Sequence, residues 1–269
     1  MRKAVFNGSF YPYSKEEIQK QLRNFFEGKT KKGEVVALVA PHAGYEYSGE
    51  VAAFSHSQLK DFEGTLVIIG PNHTGFGSLV SVSMQDWETP LGIVETNKEL
   101  AKRIIKNSKF AEEDEVAHVQ EHSIEVQLPF LQYVAKKFKI VAIAMLDQSL
   151  EKAKDLASSI IKSEKEAKEK IVVLASSDFD HYESSEIAKK KDFEVIKEIL
   201  SLNVEGFYEK IDEVNDSVCG YAPIACSMLF AKEKKAKGEL LNYSNSGKAT
   251  GDFESVVAYS SIAFFKNEK

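Results

Sequence analysis

The amino-acid sequence predicts an α/β fold in one domain, with a mostly parallel central sheet flanked by helices. Four apolar runs rich in β-branched and aliphatic residues are predicted as buried strands, at residues 34–40, 65–70, 139–146 and 170–176. Helix-like stretches separate these runs, as the crossovers of a parallel sheet require. No linker rich in Pro, Gly or Ser divides the 269 residues, so one domain is favoured over two.

Helical periodicity and capping signals predict the remaining elements. Ser14 and Glu17 have the spacing of a capping box, and the helix that follows ends at Gly28. Pro129 is expected to interrupt or kink an apolar helical face. The other predicted helices are residues 48–59, 97–106, 150–168, 185–200, 204–213 and 220–237, and the other predicted strands are residues 79–84, 93–95, 239–243 and 255–265.

Charge and composition exclude several classes of function. A net charge of -6 and a pI near 5.7 argue against a nucleic-acid binder, which needs a concentrated positive stripe. No run of 18 apolar residues and no secretory segment is present, so we expect a soluble, cytoplasmic protein without a membrane partner. Two cysteines do not make a disulfide framework and indicate a reducing compartment. The oligomeric state stays open.

Two histidines follow predicted strands in short segments that contain proline. His42 follows the strand at residues 34–40, and His73 follows the strand at residues 65–70. Their offset of 31 residues suits one strand, one crossover helix and one parallel strand. We therefore expect them at equivalent positions of neighbouring strands, which lie about 4.8 Å apart. At the carboxyl edge of such a sheet, both could reach one metal ion or one substrate.

A third strand end adds a further histidine and a carboxylate to the same edge. Asp178 and His181 directly follow the strand predicted at residues 170–176. Together with His42 and His73 they form the main candidate constellation, because imidazole and carboxylate are natural ligands of divalent transition metals. A single histidine is more often a structural residue, but the shared placement of all three favours a functional site.

The two cysteines have different predicted roles. Cys219 precedes a predicted helix, where the positive end of the helix dipole would lower the pKa of the thiol and favour metal binding or redox chemistry. The competing interpretation, a small buried hydrophobe, has equal weight for Cys219. Cys226 lies among apolar residues of that helix, and there the structural interpretation is preferred.

Other motifs give weaker signals. His118, Glu121 and His122 fit the H-x-x-E-H pattern of inverted zinc peptidases, which requires one continuous helix. Pro129 and the acidic residues before the motif argue against that helix, so His122 is treated as a pocket residue and His118 is expected to be exposed. His56 is expected to be structural. No phosphate loop, dinucleotide fingerprint or serine-hydrolase elbow is present.

Five motifs, in order along the chain, resemble those of the Memo family, which includes the protein B component of the AmmeMemoRadiSam system. They are Ala-Pro-His-Ala-Gly-Tyr at 40–45, Gly-Pro-Asn-His at 70–73, Glu-His-Ser-Ile-Glu at 121–125, Ser-Ser-Asp-Phe-Asp-His at 176–181 and Cys-Gly at 219–220. The resemblance runs from about Pro41 to the C-terminal strand and implies a fold similar to class III extradiol dioxygenases, and we expect one Memo-like domain over residues 1–269. It implies that His42, His73 and Cys219 are metal ligands and that His122, Asp178 and His181 line the same pocket.

The resemblance also implies a function, with one departure from the dioxygenases. Their third metal ligand is a carboxylate, and here Cys219 takes that place, which favours copper or zinc and alters the potential of iron. We expect a metal-dependent oxidoreductase, with iron or copper, acting on a small molecule. His181 would be the general acid or base, oriented by Asp178, with His122 beside it. The alternatives are a non-catalytic module that binds a peptide, a metabolite or a metal, and, less favoured, a zinc hydrolase.

Overall fold

The computed structural model describes residues 1–267, and one large mixed sheet runs through this part of the chain. The strands are β1 Val35–Ala40, β2 Glu63–Pro71, β3 Val80–Val82, β4 Trp87–Thr89, β5 Gly92–Val94, β6 Ala111–Glu113, β7 Lys137–Met145, β8 Ile171–Ser176, β9 His181–Glu183, β10 Ala236–Asn245 and β11 Val256–Lys266. The helices are α1 Lys15–Phe26, α2 Tyr45–Ser57, α3 Lys98–Asn107, α4 Leu128–Val134, α5 Leu150–Ala167, α6 Ser185–Leu200, α7 Val204–Val214, α8 Tyr221–Glu233 and α9 Gly247–Thr250. Short 3-10 turns lie at Val116–His118 and Glu125–Gln127.

The order of strands in the sheet is β10-β11-β1-β8-β2-β7-β3-β6, with β9 paired to β11. The four central strands β1, β8, β2 and β7 are parallel, which confirms the predicted α/β class with a parallel centre. Antiparallel pairs flank them, β1 with β11 on one side and β7 with β3 on the other. β4 and β5 form a separate hairpin, and β4 lies between residues 84 and 93, where the sequence predicts no strand.

The expectation that β1 and β2 are neighbours is wrong, because β8 lies between them. Ala40 at the end of β1 pairs with Ser176 of β8, and Ile69 near the end of β2 pairs with Ala175 of β8. A 31-residue crossover fixes the parallel direction of two strands but leaves room for a third strand to enter later. Three strand ends, rather than two adjacent ones, therefore converge at the carboxyl edge.

Helices cover both faces of the sheet, so the central strands consist of continuous apolar residues. Every residue of β1 and β8 is buried. On one face, side chains such as Val39 and Val173 pack in a core with residues of α3, α5, α6, α7 and α8. On the other face, side chains such as Leu38 and Leu174 pack with residues of α4, and α1 and α2 form a smaller core with Phe130.

Most predicted boundaries lie within two residues of those in the structure; α2 and β10 each begin three residues before the predicted start, and α8 differs most. α1 begins as predicted, since the Ser14 side chain accepts a hydrogen bond from the Glu17 amide. Pro129 lies in the first turn of α4 and begins the helix rather than kinking it. α8 ends at Glu233 instead of residue 237, because Lys235 adopts a left-handed conformation (φ 55°) before β10. Within residues 1–267, no helix combines the length and apolarity that crossing a bilayer requires.

Candidate metal centre

Three histidines meet at the carboxyl edge of the sheet. One ring nitrogen each from His42, His73 and His122 lies within 4.8 Å of the other two. The ring centroid of His42 lies 5.2 Å from the centroid of His73 and 5.2 Å from that of His122. The centroids of His73 and His122 are 4.7 Å apart. Imidazole nitrogens grouped in this way can share one metal ion. We call these residues the three-histidine cluster.

His42 follows β1, and its ring is buried and held by β8. The Ser176 hydroxyl donates to the Ser123 carbonyl (2.6 Å) and accepts from the Gln127 amide (2.7 Å). Its remaining contact, 3.0 Å to Nδ1 of His42, must therefore be donated by the ring. Nδ1 carries the proton, and the lone pair of Nε2 is free for a metal ion. Asp178 fixes the His42 backbone by accepting its amide at 2.8 Å.

His73 follows β2 and is oriented by Glu121. The Nδ1 atom of His73 is 2.9 Å from Oε1 of Glu121, and its backbone amide donates to Oε2 at 2.6 Å. Burial would raise the pKa of Glu121, but hydrogen bonds from His73 and the Ser123 amide lower it to about 2. The ionised carboxylate therefore accepts the Nδ1 proton of His73. This leaves the Nε2 lone pair available, as in the carboxylate–histidine–metal arrangements of known metal sites.

His122 completes the cluster from the loop before α4. Its ring lies almost parallel to that of His73 and 4.5 Å from the ring of Phe10, with Phe6 at its edge. Burial and the neighbouring His42 lower the pKa of His122 to about 3. Burial, followed by the neighbouring His73, also holds the pKa of His42 well below its usual range. Both rings are therefore neutral at physiological pH, the form that binds metals.

Cys219 lies beside the cluster next to His42, but its sulfur is not among the ligand atoms that all lie within 4.8 Å of one another. Its Sγ is 3.2 Å from Nε2 of His42 and accepts a hydrogen bond from the Asp178 amide. Burial and the Asp178 carboxylate raise the pKa of the Cys219 thiol, so the predicted lowering by the helix terminus is wrong for the metal-free protein. A bound metal ion would reverse this balance. Cys226 is fully buried and donates to the Ala153 carbonyl, as expected of a structural residue.

Asp178 and His181 both face the same cavity. We expected Asp178 to orient His181, but the two side chains do not contact one another. The Nδ1 atom of His181 lies 3.1 Å from the Ser217 carbonyl, and the Ser217 hydroxyl contacts the His181 amide and the Asp180 carboxylate. Asp180, not Asp178, thus supports His181, through Ser217. A carbonyl can only accept, so Nδ1 of His181 is protonated and Nε2 can accept a proton.

An open cavity of about 440 Å³ lies beside the three-histidine cluster. Asp178, His181 and the rings of Phe10, Tyr47 and Tyr259 line it, together with all three cluster histidines. None of the lining residues is Lys or Arg. The cavity therefore offers aromatic walls, metal-binding nitrogens and one potential proton acceptor, without a fixed positive charge for an anionic ligand.

The H-x-x-E-H motif does not form a peptidase site. His118 lies in a 3-10 turn, so the continuous helix that the motif needs is missing, and His118 is not in the three-histidine cluster. The expectation that it is exposed is wrong: the side chain is fully buried, with Nε2 3.2 Å from the Ser81 carbonyl. His56 is buried and stacks on Phe130, as expected of a structural residue.

Sequence reasoning missed the residues that orient the cluster. Glu121, Ser176 and Phe10 contact His73, His42 and His122 respectively. Glu121 and Ser176 belong to two of the five family motifs, and an acidic or hydroxyl residue beside a candidate metal ligand is a usable signal for such a role. Phe10 had no such signal, because it is more than 100 residues from His122 in the sequence.

Comparison with known proteins gives full-length matches. A family model described as Memo-like protein matches residues 2–263. A MEMO1 family protein of Methanosarcina barkeri is 43% identical over 265 residues, covering 97% of this chain and 99% of the relative. One of Archaeoglobus fulgidus is 46% identical over 264 residues, covering 98% and 99%, and one of Nitrosopumilus maritimus is 42% identical over 275 residues, covering 98% and 99%. The similarity spans every strand end that contributes to the three-histidine cluster.

Proposed function

Because this chain belongs to the Memo family, we propose that it binds one divalent transition-metal ion through His42, His73 and His122, with Cys219 as a further ligand. The observation that carries the proposal is the convergence of three imidazole nitrogens within 4.8 Å of one another. Packing alone does not explain why three histidines, two of them held neutral by burial, share one point.

The ring orientations support this ligand set. Hydrogen bonds to Ser176 and Glu121 place the protons of His42 and His73 on Nδ1, which leaves both Nε2 atoms free to bind an ion. A nitrogen and a sulfur bonded to the same ion lie about 3.5 Å apart, given bonds of about 2.0 and 2.3 Å. The 3.2 Å between Nε2 of His42 and Sγ of Cys219 is close to that separation.

We propose that the ion is iron or copper and that the protein is an oxidoreductase acting on a small molecule. Imidazole with thiolate suits iron, copper and zinc, and of these iron and copper supply one-electron and oxygen chemistry. The cavity beside the cluster can hold a small organic molecule between the rings of Phe10, Tyr47 and Tyr259. Since no lining residue is cationic, an anionic group on the ligand would be directed to the metal.

His181 is the residue that we assign to proton transfer. Its Nδ1–H is held by the Ser217 carbonyl, so Nε2 is the atom that accepts a proton from a ligand in the cavity and later returns it. Asp178 acts differently from His181, because its carboxylate holds the backbone amide of His42 and keeps the loop after β1 in place.

Metal analysis tests the proposal directly. Protein purified without oxygen should contain about one iron or copper ion per chain, or take one up in a titration. His42→Ala and His73→Ala should each abolish this binding, whereas His181→Ala should keep the metal and lose turnover of a small catechol with oxygen. A wild-type protein that binds neither metal would rule the proposal out.

The second candidate is a binding module that holds a metabolite, peptide or metal without turnover. The observation that favours it is the openness of the cavity, since His73 is about a third exposed and bulk water reaches the cluster. Oxygen consumption distinguishes the two functions. Metal-loaded protein that binds ligands but consumes no oxygen with any catechol would favour the binding module.

A further inference from the structure

The first residues of the chain run along the loop that carries Glu121 and His122. We call residues 2–11 the N-terminal strap. Phe10 of the strap packs against the His122 ring, with ring centroids 4.5 Å apart and planes tilted by 34°, and Phe6 makes an edge contact with the same ring at 5.6 Å. Both phenyl rings touch each other, with their centroids 5.3 Å apart. One side of the His122 ring is therefore formed by a segment more than 100 residues away in sequence.

A buried ion pair holds the strap to this loop. The Arg2 guanidinium donates to the carboxylate of Glu125, and both side chains are almost completely buried. Glu125 also accepts hydrogen bonds from the amide of Phe6 (2.9 Å) and the hydroxyl of Tyr11 (2.7 Å). A single carboxylate thus fixes the beginning, middle and end of the strap.

Arg2 also holds the loop itself, on the N-terminal side of His122. Its Nε donates to the His118 carbonyl at 2.9 Å, and its Nη2 donates to the Glu121 carbonyl at 3.0 Å. The guanidinium lies over the ring of Trp87, 4.5 Å from its centroid. The fork of an arginine can bind a carboxylate and two carbonyls together, whereas a lysine ammonium cannot reproduce that geometry.

We propose that Arg2 and Glu125 are positioning residues of the metal centre, which set the ring orientation of His122 through the N-terminal strap and through the backbone of residues 118–121. This inference rests on the proposed function and extends it to a pair that touches neither metal nor ligand. A buried pair that only anchored the terminus would need no carbonyl contacts on the loop before His122. Outer residues that orient metal ligands change metal affinity about 10-fold to 100-fold when replaced.

The metal-free protein provides the first test. The ring currents of Phe10 and Phe6, which both pack against His122, should shift the ring protons of His122 away from the positions of an ordinary histidine in the NMR spectrum. Arg2→Gln should move these signals towards ordinary positions, while the ring signals of buried His56 stay unchanged and report an intact fold. This NMR measurement does not need a metal, so it remains valid if the proposed function fails.

The second test is a titration with Co²⁺ alone. Arg2→Gln should weaken Co²⁺ binding about 10-fold and change the visible spectrum, and Arg2→Lys should fall between this variant and the wild type. Lys3→Gln is the matched control, because it removes the exposed neighbouring pair with Glu88 and should change neither reading. If Arg2→Gln fails to fold, Arg2→Lys decides by the same two readings.

The proposal predicts a specific combination of results. His122 signals and Co²⁺ affinity should change together, with His56 unaffected. A variant that unfolds at a lower temperature but keeps the wild-type His122 signals and the wild-type Co²⁺ spectrum would overturn the proposal, because the pair would then only stabilise the fold. Wild-type protein that binds neither Co²⁺ nor iron or copper, with His122 signals that still depend on Arg2, would reject the proposed function and keep the positioning role.

Discussion

The Nε2 atom of His42 lies 3.2 Å from the Sγ atom of Cys219, although 177 positions separate the two residues in the sequence. Without metal, the thiol is neutral, since burial and the Asp178 carboxylate raise the pKa of Cys219. The Nε2 lone pair then accepts a hydrogen bond from the S–H group. A metal ion would displace that proton, and both atoms would turn from each other to the ion.

We therefore expect Cys219→Ala still to bind the metal, but with a different absorption spectrum. Three imidazole donors remain in this variant, so we expect Co²⁺ or Cu²⁺ to bind with lower affinity. The intense near-ultraviolet absorption of a metal–thiolate bond should disappear. Absorption spectra of the wild type and the variant measure this, and identical spectra would show that the sulfur is not a ligand. Cys226→Ala is the control, because its sulfur is buried among apolar residues of α8.

Glu121→Gln should weaken metal binding through His73. The carboxylate accepts the Nδ1 proton of His73, and an amide in its place accepts less strongly, so affinity should fall about 10-fold to 100-fold. Stability should fall by about 1–3 kcal/mol, because the buried Glu121 carboxylate also accepts the backbone amides of His73 and Ser123. Isothermal titration and urea unfolding measure the two effects.

Glu115→Gln is the matched control for that variant. Glu115 likewise accepts backbone amides, those of Met84 and Gln85, but contacts no histidine of the cluster. We expect it to lose stability to a similar degree and to bind metal as the wild type does. Equal losses of metal affinity in both variants would mean that Glu121 acts only through folding.

Asp192→Asn should reduce the loss of stability with rising pH. Asp192 is fully buried, and burial together with the Asp216 carboxylate raises its pKa to about 9. A carboxyl whose pKa is raised by folding stabilises the protein fully below its unfolded pKa near 4 and loses that contribution as pH rises towards 9. In this window the loss is at most about 1.4 kcal/mol per pH unit.

Unfolding in urea at pH 5, 7 and 9 measures this dependence. Asparagine is neutral at each pH, so the variant should show a flatter profile than the wild type. Asp216, whose pKa burial and Asp180 raise to about 6, contributes in the same direction between pH 4 and 6 and remains in both proteins. Asp212→Asn, at an exposed site, should leave the profile unchanged, and a wild-type profile without decline would contradict the prediction.

Gly70→Ala should disturb the fold and the site together. A Cβ at Gly70 would lie 2.3 Å from Oγ and 3.0 Å from Cβ of Ser123, the residue after His122. The loop must therefore move, at a cost of about 1–3 kcal/mol, and metal binding should weaken. Gly33→Ala is the control, since its nearest neighbour is a Phe265 ring carbon at 3.4 Å. Thermal unfolding and Co²⁺ titration measure both effects, and wild-type affinity in Gly70→Ala would show that the loop accommodates the methyl group.

The sequence predicts the location of the site better than its internal contacts. His42, His73 and Asp178 follow apolar strands whose direction and burial can be read from local pattern, so their common edge is predictable. Which strands are neighbours is not local information, and the position of β8 between β1 and β2 was therefore missed.

Contacts from distant segments set the finer geometry. Arg2 and Phe10 reach His122 and its loop through tertiary packing that no spacing rule encodes. The pKa of Cys219 was predicted from one helix terminus, but burial and a nearby carboxylate outweigh that dipole. Similarly, the ring of His181 is held through Ser217, whose side chain and carbonyl lie 36 positions away.

The position of β8 also matters during synthesis of the chain. A ribosome that has reached residue 150 has already made all three cluster histidines, but the strand that must enter between β1 and β2 does not yet exist. The half-made sheet cannot hold His42 and His73 at their final spacing, because Ser176 of β8 orients the first of them. If the cluster binds an ion as proposed, binding in the final geometry has to wait until β8 has been synthesised and has entered the sheet.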